Sequence, residues 1–196
     1  MSTTQHPSAR SGGIALFGNL RVLVIAALLA ALSIVLGKYF AINLSETIRL
    51  SFENLSIILA GLLFGPLVGG VAGAVADLVG CVLVGYSINP IITAGAVLIG
   101  VISGVIGQCI AAHGMEKLGT WRIFLPVYAA HIVGSMLVKT IGMMVYYDTP
   151  VGIFLVRVPL YVVIAVLEGY LLMLLFRSKT FVGELNRIIH KKRVSK

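Results

Sequence analysis

The chain reads as a succession of long apolar runs broken by short polar or glycine-rich interruptions. Uncharged stretches near 20–41, 67–86, 90–112, 122–146 and 151–176 are each long enough to cross a bilayer core of ~30 Å, which takes about 20 helical residues. A further apolar stretch, near 53–64, is shorter and ends at Gly65-Pro66, where proline disfavours helix at the residue before it. This helix either begins earlier, near Arg49, or lies tilted. The pattern predicts an all-α membrane protein with six transmembrane helices in a compact bundle. Residues 1–19 form a polar N-terminal tail, 20–177 the membrane domain, and 178–196 a basic C-terminal tail.

Composition narrows the picture. Of 196 residues, 59% are hydrophobic and 11% charged, and the mean hydropathy is +1.04, which is more apolar than a soluble domain can bury. The run starting at Val22 is too long for a cleaved signal and is read as a retained first helix. Cys81 and Cys109 both lie within apolar runs and are expected to behave as small hydrophobes, with no disulfide or metal site implied.

A net charge of +8 would suggest nucleic acid as the partner of a soluble protein, but here the basic residues gather at the ends of the apolar runs, where a lipid surface supplies the negative charge. With the N-terminus inside, the cytoplasmic segments carry Arg10, Arg21, Lys117, Arg122, Arg177 and the basic residues of the C-terminal tail, eleven of the fifteen Lys and Arg in all. The outward loops near 42–52, 86–90 and 147–150 hold Arg49 alone. By the positive-inside rule both termini are expected in the cytoplasm.

Small residues recur four apart: Ala26 and Ala30, Ala27 and Ala31, Gly61 and Gly65, Gly69 and Gly73, Gly100 and Gly104. Such stripes let helix backbones approach closely in lipid, where dispersion drives association. The glycine pairs are expected to pack inside the bundle, whereas the overlapping alanine pairs of the first helix could equally meet a separate protein.

Four basic residues fall outside the topology count: Lys38, Arg49, Lys139 and Arg157. Each lies in the outer third of its segment. A cation at such depth costs at least ~2.5 kcal/mol on insertion scales, so it faces a cavity, pairs with an acid, or does both. The outer acids are Glu46, Glu53 and Asp148, too few to balance the cations. Lys38 and Arg49 could simply snorkel to the interface. Lys139 and Arg157 sit deeper and point to a small anionic ligand, a carboxylate suiting the guanidinium fork. Asp77 lies at mid-membrane and either accepts hydrogen bonds from a ligand or binds a neighbouring helix. Glu168, nearer the cytoplasm, suits a structural or gating role. Tyr86, Asn89 and Tyr161 belong to an outer set of aromatic and amide residues that forms an interfacial belt or lines a pocket for a flat ligand. His131 is the one histidine inside a span, suited either to packing or to the ligand.

There is no phosphate-binding glycine loop, no nucleophile elbow and no metal-ligand cluster, so no catalytic, metal or cofactor site is expected. The stretch from Arg49 to Gly80, RLSFENLSIILAGLLFGPLVGGVAGAVADLVG, with the turn GYSINP and a glycine-rich fourth helix after it, resembles the S components of energy-coupling factor (ECF) vitamin transporters, and among them the folate-specific members. Asn54 and Ser56 depart from the more apolar, proline-containing start of the second helix in that pattern. The resemblance implies a non-enzymatic, multi-pass subunit of a bacterial cell membrane that captures a vitamin, here folate, at the outer face. It implies as partners a transmembrane T component and two ABC-type ATPases, which supply the energy. It assigns the alanine faces of the first helix, Ala26, Ala30, Ala27 and Ala31, to the T component. The loops near 42–48 and 86–90 correspond to pocket lids. A pterin ring with a dicarboxylate tail suits aromatic walls and several cations. Competing readings are an S component for pantothenate or a queuosine precursor, and a scaffolding protein with no ligand at all.

Overall fold

The computed structural model describes residues 19–43, 49–112 and 120–178, with positions 180, 181 and 183. The N-terminal tail, residues 44–48 of the first expected lid, Lys117 and most of the C-terminal tail lie outside the described residues, as do the side chains of Asn43 and Arg49.

Among the described residues six main helices follow one another. α1 (Leu20–Tyr39) opens on Asn19, whose Oδ1 accepts the Arg21 amide at 3.2 Å, and its last five residues, from Val35, widen into a π-helical turn. The chain then forms a small antiparallel hairpin, β1 (Ile42–Asn43) on β2 (Arg49–Leu50). α2 (Glu53–Phe64) and α3 (Pro66–Val84) are separated by Gly65 alone, at φ +93°, a left-handed backbone that favours glycine, and Pro66 starts α3 where its missing N–H costs nothing. α3 stops at Gly85, also left-handed at φ +75°. α4 (Pro90–Ala112), α5 (Trp121–Tyr147) and α6 (Ile153–Arg177) complete the bundle.

Five of these helices are long and apolar enough to cross a membrane; α2, with 12 residues, is the exception. At 1.5 Å per residue it reaches roughly 18 Å, well short of the ~30 Å hydrocarbon core. It starts at Glu53, not near Arg49, because its first turn is fixed from other helices, as described below.

The exterior is apolar. Outward positions on α1, α3, α4, α5 and α6 are Leu, Val and Ile, while the interior sets Asn54, Ser103, His131, Ser135, Lys139, Thr140, Arg157 and Glu168 among a larger number of buried apolar side chains. An apolar exterior is what a lipid solvent selects, and polar groups are then kept for the inside, where the protein can supply partners. α4 is the central helix, packed on α2, α3 and α5. Its contact with α3 is made by glycine. A Cβ on Gly69 would come within 2.6 Å of the Gly100 carbonyl oxygen, and one on Gly104 within 2.6 Å of Gly65 and Pro66 backbone atoms. The glycine pairs expected to pack inside the bundle do so.

Candidate functional site

At the end of the bundle where α1 finishes and α6 begins, the helices splay around a cavity of about 230 Å³. Lys38 enters from the π-helical turn of α1, Ser51 and Glu53 from the start of α2, Asp77 and Cys81 from α3, and Tyr86, Ser87 and Asn89 from the α3–α4 turn. Ile92 comes from α4. Lys139, Met143 and Tyr147 line it from α5 at intervals of four, one face of the helix, and Arg157 and Tyr161 from α6 at the same interval.

Arg157 is 6% exposed. Its Nε donates to Thr140 Oγ1 at 3.0 Å, one terminal nitrogen donates to Met143 Sδ at 2.8 Å, the other to Tyr161 Oη at 3.2 Å, and the guanidinium lies 5.0 Å from the Tyr161 ring centre. Among the described residues no carboxylate comes within ion-pair distance of it. Lys139 is different. Its Nζ lies 2.7 Å from Glu53 Oε1 and 3.3 Å from Asn54 Oδ1, so its charge is already matched. Lys38 lies over the Tyr86 ring at 5.4 Å, and Gly80 makes room for its stem, since a Cβ there would meet Lys38 Cε at 2.8 Å. Asp77 Oδ2 accepts from the Thr93 hydroxyl at 2.7 Å.

Asn89 is in the wall but its amide is used locally. Oδ1 accepts from the Ile91 and Ile92 amides, capping α4, and Nδ2 donates to the Gly142 carbonyl at 2.9 Å. Arg49 sits on β2, paired with Asn43, with its side chain outside the described residues. His131, expected either to pack or to meet the ligand, does not line the cavity. It is fully buried one layer further in, its Nε2 2.8 Å from Glu168 Oε2 and its ring 5.9 Å from that of Tyr161. Glu168 Oε1 in turn accepts the Leu55 amide at 3.1 Å, a donor it shares with the Phe52 carbonyl at 3.2 Å, so a carboxylate from α6 sits at the first turn of α2 and complements its positive end. Asn54, the polar departure at the start of α2, donates to Ser135 Oγ at 3.3 Å as it accepts from Lys139. Together these bonds anchor the short helix at mid-bundle.

The helix 1 alanines also divide. Ala30 is buried against Ile57 and Ile58, and Ala26 packs on Val22, Phe64 and Val68, so these two are part of the core rather than a free face. Ala27 and Ala31 are exposed beside Leu23, Val24 and Leu28. An all-apolar helix has no polar face to set its rotation, which is why spacing alone could not separate the two stripes.

Sequence reasoning named Glu53 only as an available acid and missed Ser51, Cys81, Ser87, Ile92 and Met143 as cavity residues. The four-residue register of Lys139, Met143 and Tyr147 was the signal that could have found Met143.

A helical bundle with an apolar exterior and a cationic cavity at one end defines a membrane protein built to bind a small solute. The chain belongs to the family described as ECF-type riboflavin transporter, S component, whose model matches residues 18–179. In fold it is similar to FolT in the crystal structure of FolT bound with folic acid, with a TM-score of 0.63 and 20% sequence identity over 78% of this chain and 89% of that one. A stretch of 69 residues, 35% of the chain, is 39% identical to an uncharacterised protein of Mycoplasma pneumoniae (strain ATCC 29342 / M129 / Subtype 1), the MG313 homologue. The match spans about a quarter, 24%, of that protein's length.

Proposed function

We propose that this S component captures folate or a close relative from outside the cell and releases it inward only in company with a transmembrane T component and two ABC-type ATPases. The observation that carries the reading is Arg157: a buried guanidinium facing a cavity, with no carboxylate partner among the described residues. Removing such a charge from water costs several kcal/mol unless an anion compensates it, and a ligand carboxylate is the natural compensation. Asp77 supplies the opposite polarity from another wall, suited to the amino and ring N–H groups of a pterin, with Tyr161 and Tyr86 as aromatic surfaces. The folic acid bound to the structurally similar FolT is consistent with that chemistry.

The same reading takes the cavity end as the outer face and both termini as cytoplasmic, with α2 completing a sixth, partial crossing together with the β hairpin. Ala27 and Ala31, on the outward face of α1, are the positions left to meet the T component.

The family description favours a second ligand, riboflavin. Riboflavin carries no carboxylate, so it would leave Arg157 uncompensated. Titration of folate and of riboflavin into detergent-solubilised protein decides between them: saturable folate binding without ATP is expected, and saturable binding of riboflavin alone would replace the folate reading.

A further inference from the structure

The cavity wall sets three cations, Lys38, Lys139 and Arg157, against two acids, Glu53 and Asp77. One positive charge is in excess, and it lies with Arg157 and Lys38 rather than with Lys139, which is matched by Glu53 at 2.7 Å. A folate, with two carboxylates, brings one negative charge more than the wall neutralises as it stands. The cavity, at about 230 Å³, is also smaller than the ~300–1,000 Å³ usual for a small-molecule site. Side chains must move for such a ligand to enter.

We propose that Glu53 is a displaceable stand-in for the ligand's second carboxylate. On binding, that carboxylate takes over Lys139, and the Glu53 side chain swings toward Lys38. This rests on the folate reading above. Four observations favour Glu53 as the group that yields. Its side chain is more exposed than that of its partner, 18% against 6%. A void of about 10 Å³, close to the volume one water needs, lies beside it and is lined by Ser33, Lys38 and Asp77 as well as by the ion pair itself. Lys38, which lines the same void, offers Glu53 an alternative cation to Lys139. The backbone, meanwhile, is held in place, since Ser33 Oγ donates to the Glu53 carbonyl at 2.7 Å.

Gly37 completes the geometry. A Cβ at that position would lie 2.6 Å from Glu53 Oε2, so the carboxylate rests against bare α1 backbone, one residue before Lys38. Glu53 also occupies the first turn of α2, where the helix N-terminus favours its negative charge in either position. The ion pair therefore acts as a charge filter: a monoanion finds Arg157 ready, and a dianion must displace an internal acid to gain Lys139.

The test is Glu53→Gln, titrated with folate and with its two monoamides, in which one or other tail carboxylate is a carboxamide. Removing the competing acid is expected to strengthen folate binding by about tenfold, equivalent to ~1.4 kcal/mol. The monoamide lacking the carboxylate destined for Lys139 should gain less than about threefold. The double variant Glu53→Gln with Lys139→Gln, which removes both charges of the pair, should lose the gain. Equal gains for folate and both monoamides would mean that Glu53 acts only through its field, and no gain for folate would mean a purely structural pair; either overturns the exchange. Wild-type protein that binds no folate would overturn the folate reading and the exchange with it, an outcome distinct from folate binding that is indifferent to position 53.

Discussion

The seam where α3 crosses α4 and the cavity where α5 approaches α6 join helices in the same lipid-facing bundle with opposite materials. The seam has no side chains to speak of: Gly69, Gly73, Gly100 and Gly104 bring backbone onto backbone. The cavity wall is held by side-chain hydrogen bonds, with Arg157 of α6 reaching Thr140 and Met143 of α5. A dry glycine contact has no alternative arrangement, since any shift loses dispersion contacts on both sides. A polar contact can exchange partners. The difference assigns rigidity to α3 and α4, and responsiveness to the groups of α1, α2, α5 and α6 that meet at the cavity.

The harshest way to break the comparison is Gly100→Leu. A Cβ there collides with the Gly69 backbone, which no rotamer change can relieve. The expected loss is about 3 kcal/mol or more of stability, the upper end for an overpacked core, read from thermal unfolding in detergent. A variant that unfolds at the wild-type temperature would show that the seam yields and that the contrast with the cavity is false.

Arg157→Ala should cost less in total, and in a different quantity. A charged hydrogen bond is worth about 1.5 to 3 kcal/mol, or roughly ten- to a hundredfold in affinity. Arg157→Lys should restore only part, because a point charge cannot reproduce the bidentate fork. A ligand fragment that keeps the pterin but lacks the glutamate tail should bind the Ala variant and the wild type nearly equally. Losses of the same size for fragment and whole ligand would make Arg157 a structural cation, and the cavity as static as the seam.

What could be read from the sequence follows the same division. The seam was legible because glycines four apart on an apolar helix have few other uses. Lys38, Lys139 and Arg157 were legible as a converging set because a cation inside an apolar run needs a reason to be there. Their partners were not. Glu53 and Lys139 are 86 residues apart in the chain, and His131 and Glu168 are 37 apart, distances over which no local period carries information. So the sequence left open whether Lys139 is paired with an acid or free for a ligand, and whether His131 packs or meets the ligand, where the structure pairs Lys139 with Glu53 and sets His131 among the bonds that anchor α2. The shortness of α2 was visible, but not what holds its first turn, the carboxylate of Glu168 on α6 at the Leu55 amide and Ser135 and Lys139 on α5 at Asn54.

The smallest expected effect falls on α1, where two alanines three residues apart should respond oppositely to the same substitution. Ala30 is 3% exposed and packs against Ile57 and Ile58, so Ala30→Trp should destabilise the bundle and weaken ligand binding with it. Ala27 is exposed, so Ala27→Trp should leave the unfolding temperature and folate affinity unchanged, a surface change being worth within about 0.5 kcal/mol. Its effect should show only in company: if Ala27 and Ala31 form the flat face that meets the T component, indole bulk there prevents close helix docking. Recovery of the T component on affinity-tagged Ala27→Trp protein should therefore fall while binding persists. Undiminished recovery would move the partner interface off α1, and a matching loss of ligand binding would mean that the outward face of α1 is coupled to the cavity rather than independent of it. The second outcome would be the more instructive, because Lys38 and Gly37 lie two to three turns along the same helix, and a partner that rotates α1 would then act directly on the place where Glu53 rests.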